Sequence, residues 1–231
     1  MELEFNKIIL AFLLTLIAGL STGIGSALAF FTKSTNKKFL SVALGLSAGV
    51  MIYVSFVEIL NKSKELLTTE FGALKGEIFT MLAFFSGIFL IAVIDKFVPS
   101  FENPHEIKTV EDMTATSSKF ISAHSKTKLM RMGLMSAIAI AIHNFPEGLA
   151  TFIAALNEPQ LGISITIAIA IHNIPEGIAV SVPLYFATNN KKKAFFYSFL
   201  SGLAEPLGAV LGFTVLSFFI NNAIFGLLFG L

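Results

Sequence analysis

The residues best suited to chemistry in this sequence lie in a six-residue phrase that occurs twice. The first copy reads HNFPEG at residues 143–148, and the second reads HNIPEG at residues 172–177. Residues four apart share one face of a helix, so each copy would place an imidazole beside a carboxylate, with an asparagine amide next to them. Imidazole and carboxylate suit zinc and iron, whereas amide and carboxylate oxygens suit manganese and other harder cations. The repeat predicts a site for one or two divalent ions, with the ligand candidates His143, Asn144, Glu147, His172, Asn173 and Glu176.

Two further carboxylates lie in other apolar runs of the chain. Glu205 is followed by Pro206 in the centre of its run, which repeats the pairing of glutamate with proline seen in the phrase. Glu58 lies nearer to one end of its run. Asp95 adjoins Lys96 at the end of another run, and we interpret it as an interfacial residue. Because ionisable groups inside a membrane are costly and usually functional, Glu58 and Glu205 are further candidates for functional residues.

A proline inside each copy of the phrase predicts an altered backbone beside the polar residues. Pro146 cannot donate a hydrogen bond to the carbonyl of Ile142, and Pro175 cannot donate one to that of Ile171. Each helix is therefore expected to be kinked there, with one carbonyl freed. Irregular backbone at membrane depth is tolerated where it lines a cavity, and broken helices near the midplane form substrate sites in transporters.

The composition places these residues in a membrane protein. Of the 231 residues, 55% are hydrophobic and 13% are charged, with a mean hydropathy of +0.79. A soluble domain would carry about 25% charged residues, and apolar runs of about 20 residues are typical of spanning helices. The chain has no cysteine, which excludes disulfides and thiolate ligands. No basic cluster with interleaved aromatic residues indicates a nucleic-acid partner.

The sequence predicts an all-α, polytopic bundle of spanning helices that forms a single transmembrane domain over residues 1–231. The predicted spans are 8–30, 40–60, 78–98, 129–156, 160–186 and 194–220, with a partial seventh at 223–231. Nine residues reach only about 13 Å, short of a hydrocarbon core of about 30 Å. We therefore expect either a fragment or a half-inserted last segment.

The short turn at 157–159 predicts that spans four and five are antiparallel neighbours. Glycines one turn apart are expected to be packing positions: Gly19 and Gly23, Gly45 and Gly49, Gly208 and Gly212.

The basic residues predict an orientation in the membrane. Twelve of the sixteen lie in, or beside, the connections that follow spans one, three and five. The positive-inside rule then places the N-terminus outside and the connection 99–128 in the cytoplasm. We expect the protein to lie in the inner (plasma) membrane of the cell. That connection is rich in serine, threonine and lysine and is expected to be mobile. Its His105 and His124 are interpreted as solvated loop residues.

At the residues quoted above, the sequence resembles the ZIP (Zrt/Irt-like) divalent-metal transporters, and most closely their prokaryotic ZupT-like branch. The resemblance rests on HNFPEG, HNIPEG and the string GLAEPLG at 202–208, and it covers essentially the whole chain. It implies import of zinc, with iron, manganese, cobalt and cadmium as related substrates, and no organic cofactor. It also implies eight spans, with spans one to three and six to eight forming an inverted repeat around spans four and five. The seventh span is truncated here and the eighth is missing.

The resemblance further implies a two-metal site near the middle of the membrane. One metal would bind the histidines and glutamates of both copies: His143, Glu147, His172 and Glu176. The adjoining metal would bind Asn144, Asn173 and Glu205, with Met51 nearby and a glutamate as a bridge. Glu58 matches a position in span two where this branch carries an acidic residue as an extra ligand.

Two other classes share part of this pattern. An intramembrane metalloprotease also holds histidine and glutamate in membrane helices, but its His-Glu-x-x-His string does not occur in this sequence. A cation channel with a carboxylate-lined pore stays open as an alternative, which saturation and metal competition kinetics would test. We expect a transporter and not an enzyme, with divalent ions and the lipid bilayer as its partners. The sequence is compatible with a homodimer, but it does not rank the metals or define the energy source.

Overall fold

The computed structural model describes residues 5–30, 37–97, 123–216 and 221–231, which are almost entirely helical. A short π segment, Val54–Ile59, interrupts the second membrane-spanning stretch between two α-helices. The helices are α1 Phe5–Ala29, α2 Lys37–Tyr53, α3 Leu60–Phe71, α4 Ala73–Phe97, α5 Ala123–Asn157, α6 Pro159–Thr188, α7 Lys191–Gly202, α8 Ala204–Leu216 and α9 Asn222–Gly230.

Six stretches of these helices are long and apolar enough to cross a membrane. They are Phe5–Ala29, Ser41–Phe71, Ala73–Val93, Leu129–Asn157, Pro159–Thr188 and Lys191–Val215. The prediction of an all-α bundle of spanning helices is confirmed. The predicted loop 99–128 lies largely outside the described residues, as do His105 and the side chain of His124. Helix α5 already begins at Ala123, before the predicted start of span four at 129.

The connection after the second span differs from the prediction. The predicted second span ends at residue 60 and the third begins at 78, whereas the chain stays helical to Phe71 and only Gly72 separates α3 from α4. Gly72 has a φ of +83°, a left-handed conformation that glycine adopts without steric cost, and this reverses the chain. The charged residues lie on helix surfaces and form ion pairs, such as Lys64–Glu77 at 2.8 Å. Lysine, glutamate and leucine are good helix formers, which explains why these polar residues do not end the helix.

The helices form two packed groups. Helix α6 lies against α1 and α5, α5 lies against α8, and α7 closes this group by contacting α1 and α6. Helices α3, α4 and α9 form the second group. The hydroxyl of Ser63 on α3 donates to the carbonyl of Gly226 on α9 at 2.6 Å, which helps to join these two helices. Helix α2 reaches the first group through α6. An apolar cluster that includes Ala18, Ile165, Ile169 and Phe225 is buried between the two groups.

Glycines mark the closest approaches between helices. A Cβ at Gly19 would overlap the carbonyl of Gly202, and a Cβ at Gly202 would overlap that of Gly19, so α1 and α7 cross backbone to backbone. A Cβ at Gly208 would overlap the carbonyl of Phe145. By contrast, no described atom lies within 4 Å of a Cβ built at Gly45 or Gly49. Close packing at glycines is therefore confirmed in α1 and α8 but not in α2.

Candidate metal centre

The two copies of the phrase face each other because α5 and α6 form a tight antiparallel hairpin. Glu158 alone separates them, and Pro159 begins α6 at a position where a missing N–H costs no helical bond. Near this turn, a Cβ at Gly162 would overlap Ala155, so the helices run in close contact from the start. As a result, the imidazole rings of His143 and His172 lie with their centroids 5.9 Å apart.

Each histidine contacts the glutamate of its own copy. The Nε2 atom of His143 lies 3.2 Å from Oε1 of Glu147, and that of His172 lies 3.2 Å from Oε1 of Glu176. Across the hairpin, ligand atoms of His143, His172 and Glu176 all lie within 4.8 Å of one another. The imidazole side chains are 38% and 22% exposed and the carboxylates 12% and 11%, so the histidines lie at the open side of the cluster.

A second set of polar side chains lies directly beside the first and is fully buried. Asn144, Asn173 and Glu205 each have 0% exposure. The amide nitrogen of Asn173 donates to the carbonyl of Ala18 at 2.9 Å and to Oε1 of Glu205. With its amide nitrogen directed toward α6, Asn144 donates to Oε2 of Glu176 at 3.2 Å, which connects the two sets.

Glu205 reaches the site because the sixth predicted span, 194–220, is broken. Helix α7 ends at Gly202, Leu203 forms a turn, and α8 restarts at Ala204. Pro206 then lies in the first turn of α8, where a proline is tolerated. A Cβ at Gly148, the last residue of the first copy, would overlap the carbonyl of Glu205. This glycine lets α8 approach closely enough to bring Glu205 beside the asparagines.

The prolines of the phrase do not interrupt their helices. Helix α5 continues through Pro146, and α6 continues through Pro175 and also through Pro183. The missing N–H groups still free the carbonyls of Ile142 and Ile171, as the sequence indicates. Among the described helices that carry the phrase and Glu205, the break is therefore the one at Leu203, before the third glutamate–proline pair.

Four buried ligand atoms have no hydrogen-bond partner among the described residues. They are Oε2 of Glu147, Nε2 of His172, Oδ1 of Asn173 and Oε2 of Glu205. His172 Nε2 lies near Glu176 without the geometry of a hydrogen bond. Buried polar atoms are nearly always partnered in folded proteins, so four unpartnered atoms in one cluster require an explanation. All four can offer a lone pair, and the residues therefore fit a divalent cation as their missing partner.

Met51 and Glu58 lie on the helix beside the cluster. Both are half-buried, and Glu58 belongs to the π segment, a feature that often occurs at functional sites. Among the described residues, no hydrogen bond or ion pair joins Glu58 to the ligand candidates, so its role and that of Met51 stay predictions. The side chain of Asp95 lies outside the described residues.

Sequence reasoning missed Ser47. Its Oγ lies 2.7 Å from Nδ1 of His172, and the residue is only 4% exposed. Ser47 precedes Met51 by one helical turn, so the two share a face of α2. A hydroxyl one turn from a candidate ligand is the only signal in the sequence that could have identified it.

Buried hydroxyl groups also surround the end of the second copy. A Cβ at Gly177 would overlap the carbonyl of Thr22, so this glycine lets α1 approach α6. The hydroxyls of Ser26 and Ser198 lie 3.3 and 3.1 Å from the Gly177 carbonyl, and Ser26 also donates to Ser198. The Oγ1 atom of Thr22 is buried without a partner among the described residues. Both glycines of the doubled phrase are thus contact points for a further helix.

The chain is similar to known zinc transporters. A family model described as ZIP Zinc transporter matches residues 98–230. The chain is 58% identical over 229 residues to a protein named Zinc transporter ZupT from Nitratidesulfovibrio vulgaris, covering 98% of this chain and 83% of that protein. It is 61% identical over 219 residues to a Zinc transporter ZupT from Streptococcus mutans, covering 95% and 80% of the two chains. A third, from Clostridium perfringens, is 56% identical over 232 residues, covering 97% and 81%.

Proposed function

The chain belongs to the ZIP zinc transporter family, and we propose that it imports zinc through the cluster between α5, α6 and α8. It is a multi-pass membrane transporter of zinc and related divalent metals, and the relatives favour neither a protease nor a channel. The transported ion is a substrate, and we propose no organic cofactor and no enzymatic activity. The observation that carries the proposed site is the group of buried lone pairs without a partner.

We propose two adjacent metal positions in this cluster. The first would use both imidazoles and their glutamates, which offer nitrogen and oxygen ligands suited to zinc: His143, Glu147, His172 and Glu176. The second would use the buried oxygen ligands of Asn144, Asn173 and Glu205. The contact of Asn144 with Glu176 supports adjacent positions, because Glu176 also lies beside His172 and could bridge them. At the second position, Oδ1 of Asn173 and Oε2 of Glu205 could bind the metal while the amide nitrogen of Asn173 keeps its hydrogen bond to Oε1 of Glu205.

We also propose that α2 contributes to the path of the ion. Ser47 shows that one face of α2 touches the site, and Met51 lies on that same face. A thioether there would favour softer divalent ions such as zinc and cadmium over manganese. Glu58 would attract cations at the outer side, where a carboxylate gains from a divalent charge.

The orientation follows from the lysine asymmetry of the sequence. We propose that the whole chain forms one transporter domain in the inner (plasma) membrane, with its N-terminus outside and residues 99–128 in the cytoplasm. Because the chain has no cysteine, a Ser118→Cys variant can be labelled without background. Modification is expected only from membrane-permeant reagents in intact cells. Labelling by an impermeant reagent would overturn the proposed topology.

Zinc uptake into proteoliposomes tests the proposed function. Uptake should saturate with zinc concentration, and iron, manganese, cobalt and cadmium should be measured alone and as competitors. The matched control is Thr214→Ala, since Thr214 lies exposed on α8 and its hydroxyl donates to carbonyls of its own helix. Uptake that rises linearly without saturation or competition would favour a channel instead.

A further inference from the structure

Ser47 is buried on a helix whose neighbouring side chains face outward. Val42 and Leu46 are 69% and 55% exposed, whereas Ser47 is 4% exposed. Its Oγ lies 2.7 Å from Nδ1 of His172, at hydrogen-bond distance. A hydroxyl in an apolar span is costly unless it has a partner, and here the partner is a candidate metal ligand on another helix.

We propose that Ser47 is a positioning residue that sets the tautomer and orientation of His172. Its hydroxyl oxygen accepts a hydrogen bond from Nδ1–H, which leaves the lone pair of Nε2 free. That Nε2 atom is buried, lacks a hydrogen-bond partner among the described residues and faces the cluster. Metal-binding histidines commonly donate their other ring N–H to such a partner, which fixes the ring before the metal arrives. The inference deepens the proposed function, since it rests on His172 being a ligand.

The arrangement distinguishes the two histidines. Among the described residues, the polar partner of His143 is Glu147, which lies at Nε2. His172 has a polar neighbour at each nitrogen: Glu176 lies near Nε2 without hydrogen-bond geometry, and Ser47 lies at hydrogen-bond distance from Nδ1. Ser47 therefore holds one imidazole in place, while the ring of His143 has only its contact with Glu147 and the neighbouring ring.

This role predicts a selective effect on zinc. Loss of an outer hydrogen-bond partner typically lowers metal affinity about 10- to 100-fold. Ser47→Ala should weaken zinc binding by about 10-fold or more for this reason. Manganese prefers oxygen ligands, so its binding should change less, and the preference for zinc over manganese should narrow.

Nitrogen NMR of the protein with ¹⁵N-labelled histidine tests the tautomer directly. Spectra of metal-free protein are recorded at a pH where the ring signals are those of neutral imidazole, and the His172 signal is identified by its loss in His172→Gln. The unsubstituted protein should carry the proton on Nδ1 of His172. Ser47→Ala should shift His172 toward a mixture of tautomers, and Ser47→Thr, which keeps the hydroxyl, should preserve the Nδ1–H form.

Calorimetric zinc titration of the same variants supplies the second readout. Ser47→Thr should stay within about 3-fold of the unsubstituted protein, whereas Ser47→Ala should not. The matched control is Ser55→Ala, since Ser55 lies exposed on the same continuous helical stretch. It should change neither the tautomer nor the affinity.

Two results would overturn the proposal. One is a proton on Nε2 of His172 in the metal-free protein. The other is a Ser47→Ala variant in which His172 keeps the tautomer that it has in the unsubstituted protein, whatever the zinc affinity of that variant. Failure of the unsubstituted protein to bind zinc would contradict the proposed function separately, because the tautomer is measured without metal.

Discussion

The two copies of the phrase share five of six residues, yet they lie in different surroundings. In the second copy, His172 contacts Ser47 on α2, and Asn173 donates both to α1 and to Glu205 on α8. In the first copy, His143 is more exposed and contacts its own glutamate. Shared residues therefore provide two unequal halves of one site, and the second copy makes hydrogen-bond contacts with three other helices.

The helices that flank the copies show the same inequality. Gly148 of the first copy approaches the carbonyl of Glu205 on α8, and Gly177 of the second approaches that of Thr22 on α1. Three residues further on, Gly208 and Gly25 approach the carbonyls of Phe145 and Ile174, which are the third residues of the two copies. Helices α8 and α1 thus take equivalent places, as an inverted repeat would require. Helix α8 presents the carboxylate of Glu205 where α1 presents the hydroxyl of Thr22, so of these two helices only α8 adds negative charge at this place.

The largest effect should come from removing the residues that both copies share. The His143→Ala/His172→Ala variant should bind zinc more than about 100-fold more weakly, because two nitrogen ligands outweigh an outer partner worth 10- to 100-fold. Calorimetric titration of the folded variant measures this, with Thr214→Ala as control. Zinc affinity equal to that of the unsubstituted protein would show that the zinc site does not lie in the hairpin of α5 and α6.

A pair of substitutions at the equivalent places tests the inequality itself. Glu205→Gln keeps the size of the side chain but removes the charge, so the number of zinc ions bound should fall from two to one. Thr22→Val keeps the shape of Thr22 and should leave that number unchanged. Metal content of the purified proteins after equilibrium dialysis gives the stoichiometry. Equal metal content in both variants would contradict a special role for the carboxylate.

The glycine contacts should respond alike in both copies. Gly148→Ala and Gly177→Ala each force a Cβ against backbone, and overpacking typically costs about 1–3 kcal/mol. Both should lower the midpoint of thermal unfolding in detergent. Gly45→Ala is the matched control, because its Cβ meets no described atom within 4 Å and alanine favours a helix by about 0.5–1 kcal/mol. A fall for only one of the two would show that one contact is dispensable.

The smallest expected effect concerns the hydroxyls behind the second copy. Ser198→Ala removes one of two hydroxyls near the Gly177 carbonyl, and Ser26 remains to donate. Interhelical hydrogen bonds of this kind average about 0.6 kcal/mol in membranes, so stability should fall by about that amount or less. Zinc affinity should be unchanged. Ser164→Ala, on the exposed side of α6, provides the comparison in the same unfolding assay.

The ligand set could be predicted from the sequence because its spacing is local. A histidine and a glutamate four residues apart meet on any helix, and the short turn before Pro159 forces the two copies together. Ser47 could not be predicted in the same way, since its contact with His172 joins residues 125 apart in the chain. The continuation of the helix to Phe71 was missed because the predicted second span ends at residue 60, where the apolar run ends, although the charged residues that follow favour a helix. Which glycines would be contact points depended on which helices became neighbours, and spacing alone did not distinguish Gly45 from Gly19 or Gly208.

The π segment makes the length of the second span as important as its composition. A π turn is an α-helix that has taken in one extra residue, and one residue corresponds to a rotation of about 100°. Deleting a single residue from Val54–Ile59 would therefore turn α3 relative to α2. With Ser47 kept on the site, Ser63 would lose its bond to Gly226 on α9. The π segment thus sets the rotation between the face of α2 that carries Ser47 and the face of α3 that carries Ser63. A one-residue deletion there should be more harmful than a conservative substitution at the same residues.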